Sequence, residues 1–164
     1  MPFAVTHILL PMILVDFFRD HVFRIKKQFL PNKYVLLAGL FGLMPDIDML
    51  SILLGMPNMH GIVTHSIIFP VAFFAGFLIF YFLRRERTYK IFLMLFIGVS
   101  IHIFLDATFS DNIPIFFPFD FNQYGLNLIG SLRTWYNVYA AMDAILLFFW
   151  LIHEELEEKI SDYF

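Results

Sequence analysis

The sequence predicts an all-α fold, a polytopic transmembrane bundle of about five apolar helices. Three observations carry that reading. The 164 residues, one domain's worth of chain, are 60% hydrophobic with a mean hydropathy of +0.75. Only 15% are charged, where soluble domains carry about 25%. Phe alone occurs 23 times, more apolar surface than a soluble chain of this length can bury. The apolar residues also collect into five stretches, roughly 3–18, 34–54, 66–83, 91–109 and 137–153.

A membrane-crossing helix needs about 20 apolar residues, with a usable range of about 17–25. The second, third and fourth stretches meet that. The first and fifth are marginal and are expected to tilt or to line the others. None alternates polar and apolar, and backbone in lipid must satisfy its own hydrogen bonds, so helices are expected rather than strands. The N-terminal segment MPFAVTHILLPMILVDFF lacks a basic start and a small-residue cleavage site, so it is expected to be retained. Gly39 and Gly42 in GLFG suggest a helix-packing contact. The connection 110–136 is long, as lids and binding loops often are. The tail 154–164 is acidic and reads as a solvated helix end within the same single domain.

Charge sets a topology. Nine of the 11 Lys and Arg residues lie in two alternate connections, at 19–33 and 84–90. The positive-inside rule places both in the cytoplasm, as in an integral inner-membrane or cell-membrane protein. These basic residues are juxtamembrane and form no nucleic-acid stripe. With no cysteine in the chain, there are no disulfides or thiolate ligands, and any metal site must use His and carboxylates.

Eight ionisable residues lie inside or beside the apolar stretches: His7, Asp46, Asp48, His60, His65, His102, Asp106 and Asp143. Such residues are costly in a membrane and face a partner or water. With the topology above, all eight fall toward the non-cytoplasmic face. His102 and Asp106 are four apart and share a helix face. Asp46 and Asp48 stand about 200° apart on a regular helix, so one is expected to bind metal while the other bridges or supports it. Thr64 and Ser66 flank His65 and are placed to cap the third helix or to orient the imidazole. The donor types suit zinc, with manganese or iron as alternatives, better than calcium or magnesium. A site of one to three ions fits the number of ligands. Two other classes stay open: an ion- or proton-coupled transporter, and a non-catalytic protein stabilised by metal.

The segments THILL, GLMPDIDML, HGIVTHS and HIFLDATFS occur in that order over about residues 1–120. Together they resemble the membrane-bound metal-dependent hydrolase family, which includes a LexA-regulated inner-membrane protein. That family is in turn similar to zinc-dependent phospholipases C and single-strand nucleases. The resemblance implies hydrolysis of a phosphoester, with the bilayer and an amphiphilic or lipid-linked substrate as partners. It implies metal ligation by His7, Asp46 or Asp48, His65, His102 and Asp106. In a hydrolytic metal site, Asp48 as general base and Asp106 are the candidate catalytic carboxylates. The chain departs from the pattern twice. Gly61 stands where family members carry Arg, and Tyr139 stands where a His would pair with Asp143.

Overall fold

The computed structural model describes residues 4–49, 62–110, 112–130 and 132–157. Among them are five α-helices and no strand: α1 (Ala4–Phe17), α2 (Asn32–Phe41), α3 (Ile68–Phe82), α4 (Glu86–Phe109) and α5 (Leu132–Glu157). A π-helical turn, Phe18–Val22, continues α1, and a 3-10 turn, Met44–Met49, follows α2.

Among the described residues, the expectation of about five spanning helices is corrected to two. At about 1.5 Å per residue, α4 with its 24 residues is about 36 Å long, and α5 carries a 22-residue apolar segment, Thr134–Glu155. Both are long and apolar enough to cross a bilayer core of about 30 Å. The others fall short, with 14 residues in α1, 10 in α2 and 15 in α3. The physical cause is visible in the second stretch. Helix α2 stops at Phe41 and Pro45 turns the chain into the 3-10 segment, because proline's fixed ring removes a donor and disfavours a continuing α-helix.

Successive helices run in opposite directions. His7 of α1, Gly42 after α2, Ile67 before α3, Asp106 of α4 and Thr6 beside Asp143 of α5 meet at one end. Arg19, Asn32, Lys90 and Phe29 meet at the other. Between these ends lies an apolar layer of Leu9, Met12, Val15, Val35, Ala38 and Met94. Helices α3 and α4 zip together through rings, with Phe74 on Phe96 and Phe80 on Phe92 at 5.0 Å between centroids.

Glycine sets how closely α1, α2 and α4 approach, as the GLFG segment leads one to expect. A Cβ on Gly42 would lie 2.1 Å from the carbonyl oxygen of His7, and one on Gly98 would lie 2.5 Å from that of Ala38. Small residues let backbones meet where lipid gives no hydrophobic drive for association. Here they bring the end of α2 against the start of α1 and the middle of α4. The neighbouring Ser66 and Ile67 correct one detail. Helix α3 has Ile67 as its N-cap with no side-chain cap, and the Ser66 hydroxyl donates to the Val63 carbonyl at 2.7 Å.

Candidate metal centre

Five of the eight sequence candidates converge at the glycine-packed end. Asp106 is fully buried in the last turn of α4. Its Oδ1 lies 3.2 Å from His7 Nε2. Its Oδ2 lies 3.2 Å from His65 Nε2 and 3.3 Å from His102 Nε2. Asp46 Oδ1, on the 3-10 turn, is 3.5 Å from His65 Nε2 and 3.6 Å from His102 Nε2. The two imidazole Nε2 atoms are themselves 3.2 Å apart.

Two hydrogen bonds behind the rings decide what those nitrogens offer. His102 Nδ1 donates to the Gly42 carbonyl at 2.6 Å. A carbonyl only accepts, so a hydrogen sits on Nδ1, which leaves Nε2 as the atom turned toward Asp46 and Asp106 and free to offer a lone pair to an ion. The Thr64 hydroxyl donates to Asp48 Oδ2 at 2.6 Å and so accepts from His65 Nδ1 at 3.1 Å. His65 is thereby fixed in the same tautomer. Partners of this kind are what orient metal-binding imidazoles.

The Nε2 atoms of two rings and the oxygens of two carboxylates thus face one another. Among the described residues, Asp46 Oδ1 and Asp106 Oδ2 are buried oxygens with no hydrogen-bond donor besides the ring nitrogens they face. Buried polar atoms are normally paired. A proton or a cation would satisfy them, and the two carboxylates could balance a divalent ion. Two overlapping triads have ligand atoms within 4.8 Å of one another: His7, His102 and Asp106, and Asp46, His65 and His102. His102 belongs to both triads, so the five residues could hold one ion, or two with His102 serving one of them. Nitrogen and oxygen donors in this mixture fit zinc, manganese or iron.

Without a metal, the same carboxylates favour a proton on His65. His65 lies outside both spanning helices. Burial lowers its pKa, but hydrogen bonds and charge from Asp106 and Asp46 outweigh that and push it up to about 9. Asp46 is held below its ordinary value: burial raises it, and the hydrogen bond from His65 with the nearby imidazole charge more than offsets this.

The five side chains differ in burial, although the cage-facing Oδ1 of Asp46 is itself buried. His7, His65, His102 and Asp106 are buried, whereas the side chain of Asp46 is 31% exposed.

The remaining candidates lie elsewhere. Asp48 stands behind His65, hydrogen-bonded to Thr64. Asp143 accepts from the Thr6 backbone N–H at 3.1 Å and from the Thr6 hydroxyl, so it fixes the residue next to His7. His60 and Gly61 lie outside the described residues. Tyr139, one turn before Asp143, is fully buried. Its hydroxyl reaches the carbonyls of Gly130 at 3.0 Å and Phe109 at 3.2 Å, tying α5 to the end of α4. Sequence reasoning missed the Gly42 carbonyl, because a backbone acceptor carries no residue-type signal. The glycine needed for its close approach was the available clue.

The chain matches the YdjM inner membrane protein family over residues 1–158. It belongs to that family. Membership and the two candidate spans make it a membrane protein, in contact with the lipid bilayer. No curated protein and no solved structure matches the chain.

Proposed function

We propose that this protein is a membrane-bound, metal-dependent hydrolase. It acts on a phosphoester of a lipid or lipid-linked headgroup at the non-cytoplasmic face. The observation that carries the reading is the set of preoriented imidazole nitrogens facing buried carboxylate oxygens that have no other hydrogen-bond donor. His7, His65, His102, Asp46 and Asp106 would hold the metal. When bound, such ions lower the pKa of water and clamp phosphate oxygens during displacement.

The chain's own residues do the rest. Gly42 and the Asp48–Thr64 pair keep His102 and His65 with Nε2 inward. Asp48 therefore acts through His65 instead of as a free base. Asp46 is the most exposed of the five, so substrate and water would approach from its side, and an open position of that kind is what separates hydrolytic from structural metal sites. A buried apolar layer from Leu9 to Val15 on α1, with Val35, Ala38 and Met94 opposite, separates this end from the Asp16–Arg19–Asn32 cluster. That layer argues against a transport path through the described residues. The concentration of Lys and Arg at the far end supports a non-cytoplasmic site.

The test is elemental mass spectrometry of detergent-purified protein beside a His102→Ala/Asp106→Ala double variant, paired with hydrolysis of bis(p-nitrophenyl) phosphate. One or more transition-metal ions per chain, with metal and hydrolysis lost together in the variant, is the expected result. Wild-type protein that binds no zinc, manganese or iron after reconstitution would overturn it.

A further inference from the structure

The turn between α3 and α4 lies at the end of the bundle opposite the metal cage, beside Lys90. Its sequence RRERTYK, residues 84–90, packs four cations and one carboxylate into seven residues. Two of these charges cancel in place. Lys90 is buried and donates to Glu86 Oε1 at 2.7 Å and to the Phe29 carbonyl. Its Nζ also stands over the Phe29 ring, 3.6 Å from the centroid. Arg84, Arg85 and Arg87 remain exposed, and among the described residues none of the three enters a salt bridge.

Backbone geometry singles out Arg84. Helix α3 closes with two hydrogen bonds, from Arg84 N–H to the Tyr81 carbonyl and from Arg85 N–H to the Phe80 carbonyl, both 3.0 Å. That pairing is a Schellman closure, in which the residue after the cap is left-handed and usually glycine. Here it is Arg84, at φ 54°. A side chain in that conformation crowds its own backbone and is disfavoured against glycine. Backbone geometry alone would choose glycine, so the guanidinium at this position has a reason outside the turn. It lines a groove of about 460 Å³ together with Tyr81, Phe82, Glu86 and Tyr89. The two phenol rings meet edge to face, 5.6 Å between centroids. Beside the groove, Ile79, Phe82 and Leu83 are exposed, an apolar surface of the kind that meets lipid in a membrane protein. Phe82 belongs to both, so the groove opens onto that surface.

We propose that Arg84, with Tyr81 and Tyr89, holds the phosphate of an anionic phospholipid from the leaflet at this end of the bundle. The positive-inside rule makes that leaflet the cytoplasmic one, whose surface is anionic. Charge complementarity and the adjoining apolar surface together select a lipid over a soluble anion. A guanidinium gives phosphate oxygens two parallel N–H donors. Exposed Arg85 and Arg87 add attraction for the charged membrane surface, and tyrosine rings settle at headgroup depth. Glu86 lines the same groove, but its charge is engaged by Lys90. The site is independent of the hydrolase reading, because the apolar layer of Leu9, Met12 and Val35 separates it from the cage.

The experiment titrates the full chain, delipidated in a neutral detergent, with phosphatidylglycerol or with phosphatidylcholine and counts bound lipid by native mass spectrometry. Phosphatidylglycerol is expected to bind the more tightly. Arg84→Gly and Arg84→Asn both place a residue that accepts left-handed backbone at this position. Each is expected to lower the affinity for phosphatidylglycerol about fivefold, the effect of one Arg near an anionic surface, with helix content kept and the thermal midpoint kept or raised. Arg84→Lys, which keeps the charge but not the paired donors, is expected to fall between them and wild type. Lys26→Gln removes an exposed cation from the other basic connection at the same end and is expected to change the affinity little. Equal losses for Lys26→Gln and Arg84→Gly would show diffuse attraction by basic residues only and overturn the site. Competition by inorganic phosphate as effective as competition by the lipid would show a site for a free anion and overturn the lipid assignment. Equal binding of phosphatidylglycerol and phosphatidylcholine to wild type would overturn it outright.

Discussion

His102 Nδ1 donates to the carbonyl of Gly42 at 2.6 Å, across 60 residues of sequence. The ring is buried and lies tilted against the His7 ring, 4.1 Å from centroid to centroid. One backbone oxygen therefore sets the tautomer of the imidazole shared by both ligand triads. Its position depends on Gly42 having no side chain, since a Cβ there would overlap the His7 carbonyl oxygen. Gly42 has φ −63°, so the demand is for space and not for an unusual backbone conformation. Gly42→Ala is expected to move the end of α2 off α1 and to weaken metal binding about 10–100-fold, the usual effect of losing an orienting partner. Chelator competition measures this. Unchanged affinity, with helix content preserved, would show that His102 is oriented by something other than this carbonyl.

Asp48 and Thr64 make a separable test of the same idea at His65. Thr64→Val removes both the donor to Asp48 and the acceptor for His65 Nδ1 while nearly keeping shape. Metal affinity is expected to fall about 10–100-fold, and Thr64→Ser is expected to restore most of it. Asp48→Asn should resemble Thr64→Val. If Asp48 were instead a ligand, Asp48→Asn would reduce the number of bound ions and Thr64→Val would not.

These residues show how unevenly the sequence reports the site. The ionisable candidates were legible because Asp and His inside apolar stretches need partners, and His102 with Asp106 share a face at four-residue spacing. Which aspartate faces the cage was not legible. A regular helix separates Asp46 and Asp48, but both sit in a 3-10 turn, where only tertiary packing turns Asp46 inward. The helices were legible in kind and order. The number crossing the membrane was overcounted because hydropathy does not register the break between Phe41 and Pro45 as a stop. Helix α1 is apolar over most of its length, but its last turn carries Asp16, salt-bridged to the buried Arg19.

His65 gives the metal-free protein a pH signature. Its folded pKa of about 9 lies above the unfolded value of about 6.5. Protonated His65 therefore contributes stability that is fully present below about pH 6.5 and is lost as pH rises through about 9. Asp46 is lowered instead, so its contribution is lost only in acid and does not confuse that window. The thermal midpoint of metal-stripped protein is expected to fall between pH 6.5 and 9, and His65→Gln should flatten the slope. Metal competes with the same proton, so the stabilisation by added zinc should grow across the same interval. A midpoint independent of pH there, in protein verified free of metal, would mean that His65 does not face both carboxylates.

At the opposite end, Arg19 is buried between acids. It meets Asp16 Oδ1 and Asp20 Oδ1 at 2.5 Å and Asn32 Oδ1 at 2.7 Å. Removing one partner of a buried pair strands the other, at a cost of about 3–5 kcal/mol. Arg19→Met is therefore expected to destabilise strongly. An added Asp16→Asn should recover much of the loss by removing the stranded carboxylate next to the apolar core. Neither change touches the cage, which lies beyond the layer of Leu9, Met12 and Val15. Folded Arg19→Met/Asp16→Asn protein is thus expected to bind metal as wild type does. Chemical denaturation in detergent reads the first effect and elemental analysis the second. Loss of metal from a folded double variant would show that the two polar ends are coupled through the helix core, which the intervening apolar packing argues against.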